Sequence, residues 1–224
     1  MKELSKKIIS TVSPKLFNFI RITLFSIKLI SNPNSYLNTT GFIKSYLLGK
    51  PVSKDDEPIP WMNYSVIEFL KQRLTKNMLL FEYGSGYSTL FFSKLVKKVV
   101  SVEYDKDWYE RMSKEGLNEN VTLLYQELDY DGKYCSRINN TDDKYQVVII
   151  DGRDRVRCAL NSIKKLDKDG VIVFDDIDRE RYNEGFDYLL KIGFKKLDFE
   201  GFKPTAFSVS KTSIFYKEGN CLGI

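Results

Sequence analysis

Three aspartates stand where two apolar, β-branched runs end: Asp151 after YQVVII, and Asp175 with Asp176 after GVIVF. If those runs are neighbouring strands the carboxylates converge, and such a cluster repels itself unless a cation, a proton or an arginine compensates. It is then either a hard-metal site, with Asp151, Asp175 and Asp176 around a magnesium-type divalent ion, or a hydrogen-bonded hub. Asp175 and Asp176 also suit a plainer role as helix N-caps. Arg153 and Arg155 flank the cluster, and they either balance its charge or receive an anionic group of a substrate, such as a uronate or phosphate. The chain has no histidine, so acid-base chemistry must rest on carboxylates, lysine, tyrosine or cysteine.

A second constellation lies earlier in the chain. Glu82-Tyr83-Gly84-Ser85-Gly86 closes one apolar run, and Glu103 closes the next. Glycines at such a strand-to-helix turn let the backbone bend sharply and come close to a ligand, and an acidic residue at the end of the second strand suits a ribose diol. A dinucleotide fingerprint would want glycine where Thr89 stands, and a carboxylate at Glu82 would repel a pyrophosphate but pair with an ammonium. These two residues favour S-adenosylmethionine (SAM) over NAD. A tight turn with no ligand is the plain alternative.

The elements that must position these residues alternate in period. Strands are predicted over 78–82, 99–103, 121–125, 146–151 and 171–174, with helices over 60–75, 87–96, 107–114, 155–166 and 179–192. Apolar strands separated by amphipathic helices imply right-handed crossovers and a doubly wound, mostly parallel α/β sheet covered on both faces. Two late segments, 195–199 and 212–217, come without a helix between them and predict an antiparallel edge, making seven strands. Trp61 and Tyr64 open the first helix, where they either stack on a sugar or aromatic ring or belong to the core.

On FEYGSGYSTLFF and VVSVEYDKDWY the chain resembles the class I SAM-dependent methyltransferases, over roughly residues 60 to 217. The resemblance implies a Rossmann-like fold with Glu82 and the turn Gly84, Ser85 and Gly86 facing the methionine part of SAM, and Tyr83, Ser88 and Thr89 among the cofactor-binding residues. Glu103 would then meet the ribose, Gln126 or Glu127 the adenine, and Asp151 would complete the cofactor site. Ser88 replaces the third glycine of many members. The aspartates are similar to the ligands of metal-dependent catechol and caffeoyl-CoA type O-methyltransferases, with Asp176 in place of the usual Asn. Asp-Gly after the fourth strand and Phe-x-Asp-x-Asp-Arg after the fifth resemble macrocin-type and glucuronoxylan sugar O-methyltransferases. Together these imply O-methylation of a glycan or other small hydroxylated acceptor, with Asp151 and Arg153 as the catalytic pair and Trp61, Tyr64, Arg153 and Arg155 facing the acceptor. An NAD-dependent sugar dehydrogenase or epimerase, and a non-catalytic binding protein on the same fold, are the competing readings.

Charge is uneven along the 224 residues. Residues 1–50 carry eight Lys/Arg against Glu3, for +7, and the remainder carries −2. A slightly acidic main domain argues against nucleic acid as partner. The basic character belongs to a helical N-terminal extension, residues 1–50, and the methyltransferase-like domain takes 51–224. The apolar run in 14–31 is interrupted by Lys15, Arg21 and Lys28 too often for a membrane span. It suits either peripheral contact with an anionic membrane, assisted by Lys2, Lys6 and Lys7, or packing on protein, including a second subunit of a homo-oligomer. Three cysteines without CxxC spacing fit the reducing cytoplasm, so a cytoplasmic protein at the inner face of a membrane is expected.

Overall fold

A computed structural model describes residues 13–224. Helix α1 (Pro14–Ser31) begins at Ser13, whose hydroxyl caps Leu16, and leads through the single turn α2 (Tyr36–Thr39) into α3 (Phe42–Leu48). The segment after Gly49 is an ordered loop: Ser45 Oγ donates to the carbonyl of Val52 and accepts from its amide, and Val52 bridges to Pro58. Asn63 then caps α4 (Tyr64–Arg73), turning Val66, Ile67 and Leu70 onto the sheet.

The sheet alternates with helices as β1 (Leu79–Tyr83), α5 (Tyr87–Ser93), β2 (Lys98–Glu103), α6 (Lys106–Lys114) and β3 (Val121–Tyr125). It continues with α7 (Lys133–Ser136), β4 (Tyr145–Ile150), α8 (Arg155–Ser162), β5 (Leu166–Asp175) and α9 (Asn183–Lys191), and closes with β6 (Lys195–Phe202) and β7 (Val209–Tyr216). Strand order is β3-β2-β1-β4-β5-β7-β6, parallel from β1 to β5, with β7 antiparallel to both neighbours. The expected doubly wound seven-stranded sheet is therefore present.

Alternation along the strands divides the core. Leu80, Val99, Val147, Ile149 and Val173 face α4 and α5, while Phe81, Tyr83, Val100, Val148 and Phe174 face α7, α8 and α9. Both faces being covered explains why the strands read as unbroken apolar runs.

Several boundaries moved, two of them around β5. The helix expected over 155–166 ends at Ser162, and β5 starts at Leu166, pairing with Tyr145 before a register shift carries Val171 opposite Val147. The helix expected from 179 begins at Asn183, after a short 3-10 turn over Glu180–Tyr182. Phe42 is buried in the same cluster as Ile59 and Tyr64, so α3 packs on the domain, whereas α1 has no buried residue. No helix among the described residues is long and apolar enough to cross a membrane. Lys2, Lys6 and Lys7 lie outside the described residues.

Candidate active site

Strand order reverses between β1 and β4, and the loops after these two strands frame a cleft at the carboxyl edge of the sheet. Gly84 follows β1 at φ +91°, and a β-carbon there would stand 3.1 Å from the backbone of Gly152 in the loop after β4. The two loops thus pass backbone against backbone, which only glycine allows at this φ.

The cleft, about 390 Å³, is lined by Gly84, Ser85, Gly86 and Ser88 on one side and by Asp151, Gly152 and Arg153 on the other. Glu103, Tyr104, Asp105 and Trp108 form its β2 wall, and Trp61 closes the rim. Trp108 was not anticipated: its indole N–H donates to the Ser85 carbonyl at 2.8 Å and holds the glycine turn in place. Its only signal in the sequence is an aromatic in the first turn of the helix that follows Glu103. Trp61 is 44% exposed and donates to the Pro204 carbonyl at 2.8 Å, tying the cleft to the β6–β7 hairpin.

The expected cofactor residues divide into those that reach the cleft and those that support it. Gly84, Ser85, Gly86, Ser88, Glu103 and Asp151 line it. Glu103 accepts from the Ser85 amide and hydroxyl through one oxygen, at 2.9 and 3.0 Å, and from the amides of Tyr104 and Asp105 through the other. Its four acceptor positions are filled, and of the four donors only the Ser85 hydroxyl can rotate away to free one.

Glu82 and Thr89 lie beneath the turn, both fully buried. Thr89 donates to Glu82 Oε2 at 2.5 Å and accepts from the Gly86 amide at 3.0 Å, while Ser101 donates to the same carboxylate oxygen at 2.9 Å. Thr89, at the position where a dinucleotide fingerprint would want glycine, is the strut between Glu82 and the turn. Glu82 Oε1 has no partner, and burial pushes the carboxyl up to about 7 against the bonds from Ser88, Thr89 and Ser101.

Four expected residues are placed elsewhere. Tyr83 is core, its hydroxyl donating to the Cys135 carbonyl at 2.6 Å on the opposite face of the sheet. Tyr64 packs against Phe42 and Tyr36 and does not line the cleft. Neither Gln126 nor Glu127 lines it either; the Gln126 amide extends the β2–β3 pairing by donating to the Glu103 carbonyl.

The aspartates converge as expected, but around a guanidinium. Arg155, 9% exposed, donates to the backbone carbonyls of Gly152 at 3.0 Å, Asp175 at 2.6 Å and Asp151 at 3.0 Å. Its Nη2 also lies 3.0 Å from Asp151 Oδ1 and 3.7 Å from Asp176 Oδ2. Lys203, from the β6–β7 hairpin, reaches Asp176 Oδ1 at 2.8 Å. Among the described residues no group of three acidic or cysteine side chains is disposed to hold a metal ion. The magnesium-type triad of Asp151, Asp175 and Asp176 is therefore replaced by the second possibility, a hydrogen-bonded hub. The reason is positional: Arg155 reaches the carboxylates of Asp151 and Asp176, and Lys203 pairs with Asp176, so cations of the protein already compensate them. Arg155 is correspondingly committed to the hub through Nε, Nη1 and Nη2.

Within the hub the three carboxyls differ. Burial, then the charge of Asp176 and Glu82, raises Asp151 above the ordinary carboxylate range against the pull of Arg155. Burial and the charges of Asp151 and Asp176 raise Asp175 further. Thr212 donates to Asp175 Oδ1 at 2.5 Å, Asn63 donates to Thr212 at 3.0 Å, and Asp175 Oδ2 is left unpaired. Asp176 is pushed up by burial but held below its ordinary value by Lys203, Arg155 and Arg179. Only Asp151 of the three lines the cleft, with 24% of its side chain exposed.

A sheet of this order with its last strand antiparallel, and a glycine turn after β1 opening onto the switch point, is the class I methyltransferase fold. Residues 81–177 match the family described as a methyltransferase domain. The structure is similar to an rRNA methylase from Streptococcus thermophilus, with TM-score 0.50 and 17% identity over 67% of this chain and 92% of that one. A methyltransferase from Pyrococcus furiosus aligns over 80% of this chain and 94% of its own with TM-score 0.51 and 20% identity. The O-methyltransferase TomG from Streptomyces achromogenes, solved in complex with SAM, gives TM-score 0.51 and 13% identity over 67% and 77%. No curated protein matches the sequence. At these identities the solved structures establish the shared fold, while the domain match and the cleft support a SAM-dependent methyltransferase.

Proposed function

We propose that the protein is a SAM-dependent O-methyltransferase acting on a sugar or another small hydroxylated acceptor. The observation that carries this reading is the position of Asp151: it is the one aspartate of the hub whose carboxylate opens onto the glycine-turn cleft. The residues present fit the cofactor, since the cleft has the volume of a small-molecule site, a glycine turn, an acidic residue at the end of β2 and two indoles on its walls. When bound, SAM supplies an electrophilic methyl group on a sulfonium.

The chain's residues do the rest. Arg155 fixes the Asp151 carboxylate, and Asp151 accepts the acceptor's hydroxyl proton as its oxygen forms the new C–O bond and the S–C bond breaks, leaving S-adenosylhomocysteine. Arg153, stacked over Tyr104 at 5.7 Å, orients the acceptor from the same lip as Asp151. The scheme uses the side-chain carboxylate, with Arg155 and Lys203 in the cationic role first considered for a divalent ion.

Helix α1 presents Phe19 and Phe25, both about two-thirds exposed, together with Lys15, Arg21 and Lys28, which supports peripheral contact with an anionic membrane at the cytoplasmic face. Both tryptophans of the chain line the cleft, so intrinsic fluorescence tests the cofactor directly. S-adenosylhomocysteine is expected to quench it with saturation and NADH is not. Saturable quenching by NADH alone would overturn the reading in favour of a dehydrogenase.

A further inference from the structure

A second and larger cleft, about 520 Å³, opens beside the first, and Gly152, Arg153 and Arg155 line both. It runs between the start of α8 and the segment that enters α9, where Gly185 packs close to Val156. Five arginines line it: Arg153 from the loop after β4, Arg155 and Arg157 from α8, and Arg179 and Arg181 from the loop after β5. Two acids oppose them, Asp154 and Glu184, and Asp154 is turned aside to accept from the Asp131 amide at 2.8 Å.

The arginines are not equally committed. Arg155 belongs to the aspartate hub, Arg179 lies 3.4 Å from Asp176, and Arg157 lies 3.4 Å from Asp131. Arg153 and Arg181 have no carboxylate partner among the described residues. Each is instead propped on a tyrosine: Arg153 Nε donates to Tyr104 at 3.2 Å, and Arg181 Nη2 donates to Tyr182 at 3.2 Å with the guanidinium 5.1 Å above the ring. A guanidinium so braced loses little freedom on meeting an anion. Tyr130 and Tyr188 stand exposed at the mouth, suited to cover the face of a ring.

We infer that this cleft is the acceptor site and that it takes a phosphorylated sugar, with the phosphate or diphosphate held between Arg153 and Arg181 and the ring against Tyr130 or Tyr188. Guanidinium groups on two separate loops can each engage a different oxygen of a phosphate or diphosphate, whereas one carboxylate satisfies a single fork. The shared lip at Gly152–Arg153 places a hydroxyl of that sugar next to Asp151. The inference rests on the methyl-transfer reading for the identity of the reaction, but not for the anion site itself.

The test is calorimetric titration of the full chain with inorganic pyrophosphate, glucuronate and S-adenosylhomocysteine at constant ionic strength. Pyrophosphate is expected to bind at least about tenfold more tightly than glucuronate, and Arg153→Gln and Arg181→Gln each to weaken it about tenfold. Arg153→Lys should restore part of that loss, and Lys97→Gln, on the far side of the sheet edge, none of it being lost. Glucuronate binding as tightly as pyrophosphate, or Lys97→Gln costing as much as the arginine variants, overturns the proposal. Binding of S-adenosylhomocysteine without pyrophosphate would overturn it and leave the methyltransferase reading intact; the reverse result would overturn that reading and leave the anion site.

Discussion

Arg155 Nη2 lies 3.0 Å from Asp151 Oδ1, one helical turn away along the chain. The same guanidinium donates to the carbonyls of Gly152 and Asp175, so the loops after β4 and β5 are joined through it. The contact orients the one carboxylate of the hub that reaches the cleft, and it sets what substitutions there should do.

Asp151→Asn should lower kcat by about 10²–10⁴-fold, the usual contribution of a positioned base, while S-adenosylhomocysteine affinity changes little. In the native protein kcat should rise with pH, because burial lifts the Asp151 carboxyl above its ordinary range and the base acts deprotonated. A radiolabel transfer assay across pH reads both. Unchanged kcat in the Asn variant would remove Asp151 from the mechanism.

Arg155→Lys keeps the charge but loses the fork that bonds two loops. About 1–3 kcal/mol of stability should go with the broken hydrogen bonds, measured by denaturant unfolding.

Glu82 carries a pH signature of its own. Its folded value, about 7, exceeds its ordinary 4.5, so the folded state holds a proton that the unfolded chain releases. Stability associated with this group is complete below about pH 4.5 and falls as pH rises through about 7, by up to about 3 kcal/mol. Glu82→Gln keeps an acceptor for Thr89 and Ser101 and should flatten that part of the stability profile.

Gly84→Ala should destabilise the protein by about 1–3 kcal/mol, since a β-carbon at φ +91° meets the Gly152 backbone at 3.1 Å. It should also abolish quenching by S-adenosylhomocysteine.

Removal of residues 1–31 should abolish binding to vesicles containing anionic lipid, measured by co-sedimentation, and leave S-adenosylhomocysteine affinity unchanged. Equal sedimentation with and without α1 would refute the membrane role of that helix.

The amino-acid sequence by itself determined the fold class, because strand and helix periods are local properties and the turn after β1 announces itself through Gly84 and Gly86. It also determined that Asp151, Asp175 and Asp176 would meet, since residues at the ends of adjacent parallel strands have no other place to be. Direction of side chains was not legible. Tyr83 and Glu82 are consecutive in β1 and so face opposite layers, and only the packing of α5 over Glu82 shows that its carboxyl is sealed beneath the turn. Nor was the partner of the aspartates legible. Lys203 reaches Asp176 from 27 residues away through an edge hairpin, and Arg155 could be seen as a counter-charge but not as a fork across two loops. Local sequence sets which residues approach the switch point; the long-range packing of strands and loops decides whether a cation of the protein stands among them.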